Sequence, residues 1–261
     1  MIPLATPVVM GILNVTPDSF SDGGAYGSTS DAIAAGLEMV DQGAAVIDVG
    51  GESTRPSAEE VPVAEELART IDVISGLADE GVVVSIDTRK PEVAEAALGA
   101  GAAIVNDVGG MRLPEMRAAA AAVGAGVVIM HMQGEPGMMQ DEPTYTDVVS
   151  EIRSFLAKQS LAVIEAGVPV ESIAIDPGIG FGKTVDHNLE ILANIEAFTH
   201  LGYPVLVGAS RKRFLGEILT PIRGATEPDE RDVATSATTA AAVLGGARII
   251  RVHNVPFGVE V

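Results

Sequence analysis

The chain contains no cysteine and no tryptophan, and only 3% of its residues are aromatic. Without cysteine, it cannot form a disulfide, a thiolate nucleophile or a cysteine-ligated zinc site. Long apolar stretches are also missing, because no run approaches the ~20 residues needed to cross a bilayer. The first residues lack the basic start and apolar stretch of a signal peptide. We therefore expect a cytoplasmic protein with no membrane partner.

Basic residues are scarce. The chain has 16 lysines and arginines against 36 acidic residues, a formal charge of −20. Such a charge would repel a phosphate backbone, so we expect no nucleic-acid partner. The same scarcity makes local clusters of positive charge informative. The Arg211-Lys212-Arg213 run, with Arg251 and His253, is therefore expected to serve an anion, although these side chains could instead solvate a loop.

Eight short runs rich in Val and Ile are what the chain does contain, most of them separated by Ala- and Glu-rich stretches with helical spacing. This alternation predicts repeated strand-helix units, and eight units predict a single (β/α)8 TIM barrel domain over residues 1–261. Only eight residues follow His253, so we expect the barrel to lack a full final helix. The predicted runs are 8–13, 44–47, 82–86, 102–105, 127–130, 173–175, 205–209 and 249–250.

Each predicted strand leads into a polar residue, and in TIM barrels catalytic groups lie at the carboxyl ends of the strands. Asp87 and Asn106 follow neighbouring strands, with Asp176 further round the barrel. Carboxylate and amide groups can together recognise the amino, imino and carbonyl edge of a heterocycle. Each side chain could instead cap the helix that follows it. Three such residues at one mouth favour a ligand.

The segment 176–184, Asp-Pro-Gly-Ile-Gly-Phe-Gly-Lys-Thr, superficially resembles a nucleotide-binding P-loop. That pattern requires glycine at the position of Pro177, so we exclude it. We interpret the glycines as allowing the backbone to pass close to a flat ligand. A plain strand-ending turn is the alternative. Two further glycine- and hydroxyl-rich loops, 14–24 and 50–57, are predicted to close over a substrate, unless they are ordinary turns.

Two single residues admit more than one interpretation. His131 could bind a metal, but its surroundings offer no second ligand at metal spacing, and we favour a structural role. Lys212 could form a Schiff base. Its position between two arginines favours hydrogen bonding and charge stabilisation instead.

Long motifs across nearly the whole chain resemble the dihydropteroate synthase family of pterin-binding enzymes. They comprise residues 10–24, 48–56, 85–88, 106–107, 176–183, 208–216 and 251–253. The resemblance implies a transferase of folate biosynthesis, a target of sulfonamides, that condenses (7,8-dihydropterin-6-yl)methyl diphosphate with 4-aminobenzoate. It also implies a homodimer and a Mg²⁺ cofactor.

The resemblance further implies a role for individual residues. Asp87, Asn106, Asp176 and Lys212 would hold the pterin, and Arg251 would lie against it and reach the diphosphate. Asp87, Asp176, Lys212 and Arg251 form the implied catalytic set. Thr54 and Arg55 would act from the second loop. Asn14, with Mg²⁺, and His253 would bind the diphosphate. The residues implied around the aminobenzoate are Phe20, Pro56, Phe181, Gly182 and Arg213.

This reaction needs no nucleophilic side chain, in keeping with the missing cysteine. Breaking the carbon-oxygen bond would place positive charge on the pterin and negative charge on the diphosphate, which buried carboxylates and cations would stabilise respectively. Two alternatives remain open. The chain could be a related barrel that transfers a methyl group from methyltetrahydrofolate to a corrinoid protein, or a catalytically silent paralogue that binds a pterin or acts as a scaffold.

Overall fold

The computed structural model describes residues 4–16, 28–53, 60–134, 139 and 142–261. Eight parallel strands follow one another round a sheet in the order β6-β5-β4-β3-β2-β1-β8-β7, and a parallel bridge between Ile175 and Val205 joins β6 to the start of β7. The predicted (β/α)8 TIM barrel is confirmed. The strands are β1 (Val8–Asn14), β2 (Val46–Gly50), β3 (Val84–Asp87), β4 (Ile104–Asp107), β5 (Gly126–Met130), β6 (Ile173–Asp176), β7 (Leu206–Val207) and β8 (Ile249–Val252).

Helices cover the outside of the barrel, and some of them begin at a side chain that caps the first turn. Ser28, Asp147 and Thr184 each accept a backbone N–H of the first helical turn. No helix among the described residues has the length and apolar content needed to span a membrane. The helices are α1 (Thr29–Asp41), α2 (Val63–Asp79), α3 (Pro91–Gly99), α4 (Pro114–Val123), α5 (Val148–Glu165), α6 (Val185–Ala193), α7 (Ile195–Thr199), α8 (Arg213–Arg223), α9 (Asp232–Leu244) and α10 (Val255–Glu260).

The interior of the barrel changes from apolar to polar along its axis. Met10, Val46, Val128, Ala174, Leu206 and Ile249 form one buried apolar cluster, with one residue from each of six strands. Side chains alternate along a strand, so the residue two positions later points the same way. On β2 this places Asp48 one step above Val46, and on β8 it places Arg251 one step above Ile249. The polar layer therefore lies directly above the apolar one.

Two details of the barrel refine the sequence-based expectation, and the first of them contradicts it. Strand β2 runs two residues past Asp48 to Gly50, so Asp48 lies inside the strand and not at its end. The segment after His253 forms a short helix, α10, capped by Asn254, whose side chain accepts the N–H of Phe257 at 3.3 Å. Val255 in α10 is buried, as are Val9 on β1 and Val252 on β8. A short helix thus covers this part of the barrel.

Candidate active site

A buried cluster of charged and polar side chains joins four strands at the mouth of the barrel. The Arg251 guanidinium donates from Nε to Asp48 Oδ2 and from Nη2 to Asp87 Oδ2, each at 2.6 Å. Asn106 Nδ2 donates to the same Asp48 oxygen at 3.0 Å. Asp48 is fully buried, and the Arg251 side chain is 18% exposed. The mouth therefore has a fixed floor in which one cation holds two carboxylates.

Asp48 is a residue that the sequence interpretation did not assign to the site. The sequence predicts that Asp48 directly follows a strand, whereas β2 continues to Gly50. The sequence does indicate an inward-facing Asp48, because Asp48 lies two residues after Val46 on β2 and so points to the same side of the strand as Val46. A buried aspartate at an inward position needs a partner, and Arg251 on β8 supplies it. Asp48 thus sets the position of both Arg251 and Asn106.

The ionisation of Asp87 depends on this cluster. Burial raises the pKa of Asp87 to about 7, with Arg251 opposing the rise and Asp48 adding to it. The neighbouring carboxylates also act on Arg251: although burial disfavours its charge, Asp48 and Asp87 outweigh that effect and raise its pKa. Arg251 therefore stays charged, and Asp87 changes charge near neutral pH.

Asp176 ends β6 and is 6% exposed. Its Oδ1 accepts the N–H of Gly178 at 2.6 Å, so this side chain also shapes its own turn. Burial raises the pKa of Asp176, while Lys212 and the Gly178 hydrogen bond oppose the rise. The helix after this strand is capped by Thr184, and Asp87 and Asn106 bond to Arg251 and Asp48 respectively. The capping alternative therefore does not account for these three residues.

Lys212 enters the mouth from the segment after β7. Its Nζ donates to the carbonyl of Ile179 and lies 4.0 Å from the centroid of the Phe181 ring. Burial lowers the pKa of Lys212 to about 7, with Asp176 acting in the opposite direction. A pKa near 7 means that a buried charged amine costs free energy in the folded protein. Lys212 thus destabilises the folded protein, and the fold alone does not require this residue.

We expect Lys212→Met to stabilise the protein. Because the folded-state pKa lies below the ordinary value of 10.5, the cost of Lys212 is full below pH 7 and declines as the pH rises towards 10.5. The melting temperature should rise by about 3–8 °C at pH 6, and by less at pH 9. Calorimetry at both pH values measures this, with the exposed Lys158→Met as control. An unchanged or lower melting temperature at pH 6 would contradict the expectation.

The glycines after β6 have a steric role within the protein itself. Gly178 has φ 71°, and a Cβ there would lie 1.8 Å from the carbonyl oxygen of His131. At Gly180, with φ 80°, a Cβ would lie 2.6 Å from the Lys212 side chain. Only glycine fits such positions. These two glycines therefore let the loop approach its own neighbours, which refines the interpretation that they make room for a flat ligand.

Beneath this loop, Lys183 and His131 form a buried pair. Lys183 Nζ lies 3.1 Å from His131 Nδ1 and donates to the carbonyl of Phe181 at 2.8 Å. Burial, with Lys183 nearby, lowers the pKa of His131 to about 3. Burial also lowers the pKa of Lys183 well below its usual range, despite Asp176. A neutral His131 that orders the loop fits the structural role favoured from the sequence, and the loop places Phe181 and Gly182 beside the mouth.

Ser210 and His253 connect the ends of β7 and β8. Ser210 Oγ lies 2.9 Å from His253 Nδ1 and accepts the backbone N–H of His253 at 3.1 Å. When the hydroxyl donates to Nδ1, a neutral imidazole carries its proton on Nε2. The Nε2–H group can then donate to an anion.

The expected cluster of three cations at 211–213 does not form as one group. Arg211 donates to both oxygens of Asp232, at 2.7 and 2.8 Å. Arg213 is exposed and pairs with Glu217 at 3.0 Å, one helical turn along α8. The expectation that Arg211 serves an anion in the mouth is therefore wrong, because its guanidinium forms a two-bond ion pair with a carboxylate on α9. Lys212 is the one side chain of the three that enters the mouth.

A second ion cluster ties together the ends of the loop after β2. Lys90 Nζ donates to Glu52 Oε2 and the carbonyl of Val61, each at 2.5 Å, and to Glu66 Oε2 at 2.6 Å. Glu52 precedes residues 54–59 and Val61 follows them. Lys90 thus holds both flanks of this loop against α2 and α3.

Some predicted site residues cannot be placed. Phe20, Thr54, Arg55 and Pro56 lie outside the described residues. Asn14 lies at the end of β1, across Gly50 from Asp87: a Cβ at Gly50 would be 3.5 Å from Asn14 Oδ1 and 3.8 Å from Asp87 Oδ2. Within the described part of the chain, no group of three or more His, Cys, Asp or Glu side chains could hold a metal ion.

A surface cleft of about 350 Å³ lies beside the starts of α6 and α8. Its lining includes Lys183, Thr184, Arg213 and Glu217. Together, the barrel and the buried carboxylates, amide and cations at its mouth are typical of an enzyme that acts on a small, polar molecule.

Comparison with known proteins identifies the family. The pterin binding enzyme family matches residues 10–253. A dihydropteroate synthase of Escherichia coli (strain K12) is 46% identical over 258 residues, which cover 98% of this chain and 90% of that protein. The chain therefore belongs to the pterin binding enzyme family, among the dihydropteroate synthases.

Solved structures agree in both fold and coverage. The dihydropteroate synthase of Yersinia pestis, in a sulfonamide drug complex, superposes with a TM-score of 0.93 at 42% identity, covering 99% of this chain and 93% of that one. The Xanthomonas albilineans enzyme in complex with 7,8-dihydropteroate gives a TM-score of 0.88 at 42% identity, covering 99% and 92% of the two chains.

Proposed function

We propose that the mouth of this barrel carries out the dihydropteroate synthase reaction. In that reaction (7,8-dihydropterin-6-yl)methyl diphosphate and 4-aminobenzoate give 7,8-dihydropteroate and diphosphate. The observation that carries the proposal is the convergence of Asp87, Asn106, Asp176 and Lys212 from four strand ends on one mouth. Their donors and acceptors match the polar edge of a pterin ring.

The two buried aspartates would also stabilise the positive charge that forms on the pterin during the reaction. When the carbon-oxygen bond of the pterin methylene breaks, positive charge spreads into the ring. Asp87 and Asp176 are fixed in a buried site before the reaction begins, one by Arg251 and the other by the Gly178 N–H. Preorganised charge of this kind often accounts for the largest part of catalysis. Because Asp87 has a pKa near 7, bound pterin cation would favour its ionised form.

Positive groups at the same mouth would receive the diphosphate. His253 contacts Ser210 and follows β8, the strand that carries Arg251. Arg251 already neutralises Asp48 and Asp87, so part of its charge is used within the protein. We infer that the diphosphate also needs Arg55 from the second loop. The amine of 4-aminobenzoate then attacks the electron-poor methylene carbon and loses a proton as the new carbon-nitrogen bond forms.

The residues at the mouth fit the Mg²⁺ ion that the family implies. Mg²⁺ takes one or two protein oxygens together with phosphate oxygens and water. Asn14 Oδ1 is such a neutral oxygen ligand at the edge of the mouth, and Asp87 lies beyond Gly50. Bound at Asn14, the ion would neutralise charge on the departing diphosphate.

We place the 4-aminobenzoate in the cleft beside α6 and α8. Lys183, which lines this cleft, donates from Nζ to the backbone carbonyl of Phe181 at 2.8 Å. Arg213 lines this cleft and is 66% exposed, so it can exchange Glu217 for the carboxylate of a substrate. A weak, exposed ion pair is easily replaced.

We further propose that the protein is a cytoplasmic homodimer. Exposed apolar side chains on α8 and α9, among them Ile222, Val233 and Leu244, support a contact with a second copy, because such side chains favour burial. Light scattering would test this, and a monomer at micromolar concentration would count against it.

The reaction is tested directly with purified protein, pterin diphosphate, 4-aminobenzoate and Mg²⁺. We expect 7,8-dihydropteroate, identified by mass spectrometry, and loss of product when Mg²⁺ is chelated. Methyl transfer from methyltetrahydrofolate to a corrinoid protein is the competing reaction and should not occur. Methyl transfer without dihydropteroate formation would overturn the proposal, and neither product would indicate a silent paralogue.

A further inference from the structure

We propose that Asp232, at the start of α9, is a positioning residue for the proposed reaction. It acts through Arg211 and Asn254 on the two segments that carry Lys212 and His253. The inference rests on the proposed function, because its consequence is the placement of groups around the pterin diphosphate. Asp232 itself lies outside the mouth.

One carboxylate joins the ends of two strands. Asp232 Oδ1 accepts from Arg211 Nε at 2.7 Å, and Oδ2 accepts from Arg211 Nη2 at 2.8 Å. The same Oδ2 accepts from Asn254 Nδ2 at 3.0 Å. Arg211 follows Ser210 after β7, and Asn254 follows His253 after β8. The fork of Arg211 matches the carboxylate in both direction and spacing, which makes the contact specific as well as strong.

The backbone of Arg211 is held in an uncommon conformation. Its φ is 59°, in the left-handed region that residues other than glycine rarely adopt. The start of α9 and the residue before it satisfy both backbone groups of Arg211: its N–H donates to Thr235 Oγ1 at 3.1 Å, and its carbonyl accepts from Arg231 Nη1 at 3.1 Å. Such a conformation persists when the surroundings impose it. The contacts of residues 231–235 therefore maintain this turn.

The turn sends three consecutive side chains to three places. Ser210 contacts His253, Arg211 goes to Asp232, and Lys212 goes to the Ile179 carbonyl and the Phe181 ring. If Arg211 lost its carboxylate, its cation could move, and the strained turn would lose its side-chain anchor. Ser210 and Lys212 would then lose their fixed directions together. Asp232 thus sets which of the adjacent cations faces the substrate.

The charge of Asp232 is secured by its partners. The hydrogen bond from Arg211 lowers the pKa of Asp232, and that from Asn254 lowers it further, against the effect of burial. The carboxylate is therefore ionised across neutral pH. Its contact with Arg211 stays unchanged over the pH range in which Asp87 and Lys212 change charge.

The test compares Asp232→Asn, Arg211→Gln and the double variant with wild type. We expect each single variant to lose about tenfold or more in kcat and in affinity for inorganic diphosphate with Mg²⁺, at a melting temperature within a few degrees of wild type. The double variant should lose no more than either single one, because both remove the same contact. The control is Asp229→Asn, an exposed acid on the same segment, which should behave as wild type.

If Asp232→Asn fails to fold, the exchange variant Asp232→Asn/Asn254→Asp keeps one carboxylate in the same trio and is measured in its place, with wild-type-like kcat as the expected result. Wild-type kcat and diphosphate affinity in Asp232→Asn, multiplicative losses in the double variant, or an exchange variant that folds but stays impaired would each overturn the proposal. An inactive wild type would instead refute the proposed function, and diphosphate binding would still report on positioning.

Discussion

Replacing Arg251 with alanine should lower turnover about a thousandfold, because the variant loses a preorganised charge where the leaving group forms. Affinity for a pterin without diphosphate should fall less, by about tenfold, because the ring keeps Asn106, Asp176 and Lys212. The effect on turnover should be larger because charge on the diphosphate grows towards the transition state. Steady-state kinetics and calorimetry on the same preparation measure the two losses. Equal proportional losses would show that Arg251 supports only the ring pocket.

The ion cluster adds a pH signature to this variant. Without Arg251, Asp48 and Asp87 lose a cation at 2.6 Å, so the pKa of Asp87 should rise above its present value of about 7. Pterin affinity in the variant should then recover at a higher pH than in wild type. Stability should fall by about 3–5 kcal/mol, because two buried carboxylates are left without their partner. Arg251→Lys retains the charge if the alanine variant is too unstable, and the exposed Arg248→Ala serves as the control.

Asp176→Asn should weaken pterin binding about a hundredfold while leaving the fold intact. Asparagine keeps an oxygen for the Gly178 N–H, so the turn after β6 is preserved. It removes a negative charge from the ring and presents an N–H group where the ligand needs an acceptor. It also removes the charge that supports Lys212, so the pKa of Lys212 should fall below its present value of about 7. Calorimetry with a pterin that lacks the diphosphate measures the loss.

The control for this experiment is Asp107→Asn, at the end of a different strand. Asp107 accepts from the backbone of Gly109 and Met111 at 2.6 and 2.7 Å, so it holds its own turn. We expect this variant to lose stability but to bind pterin normally when folded. Unchanged pterin affinity in Asp176→Asn would remove Asp176 from the site.

The barrel and the location of its mouth could be predicted from the sequence because both depend on local pattern. Short Val- and Ile-rich runs specify buried parallel strands, and the polar residue after each run marks the carboxyl end. Asp87, Asn106 and Asp176 illustrate this. Each directly follows a predicted run and is the last or the second-last residue of the observed strand. The length of β2 was less predictable. Because this strand is longer than predicted, Asp48 lies within it and takes part in the ion cluster.

The direction of side chains in a turn could not be predicted in the same way. The run Arg211-Lys212-Arg213 gives no indication that its first residue bonds to Asp232, because that contact depends on α9 returning to the mouth and on a positive φ at Arg211. The Lys90 cluster is similar, since its partners come from α2 and from both flanks of a loop. Such contacts join residues that are distant in sequence, and only the assembled fold brings them together.

Diphosphate release is the most direct measure of the proposed chemistry. Wild-type protein is mixed with pterin diphosphate and Mg²⁺, with and without 4-aminobenzoate, and free diphosphate and dihydropteroate are both followed in time. The account predicts that 4-aminobenzoate speeds the release, that one diphosphate appears for each dihydropteroate, and that Arg251→Ala and Asp176→Asn slow both together. Diphosphate release that is independent of 4-aminobenzoate, or that is unchanged in both variants, would contradict it.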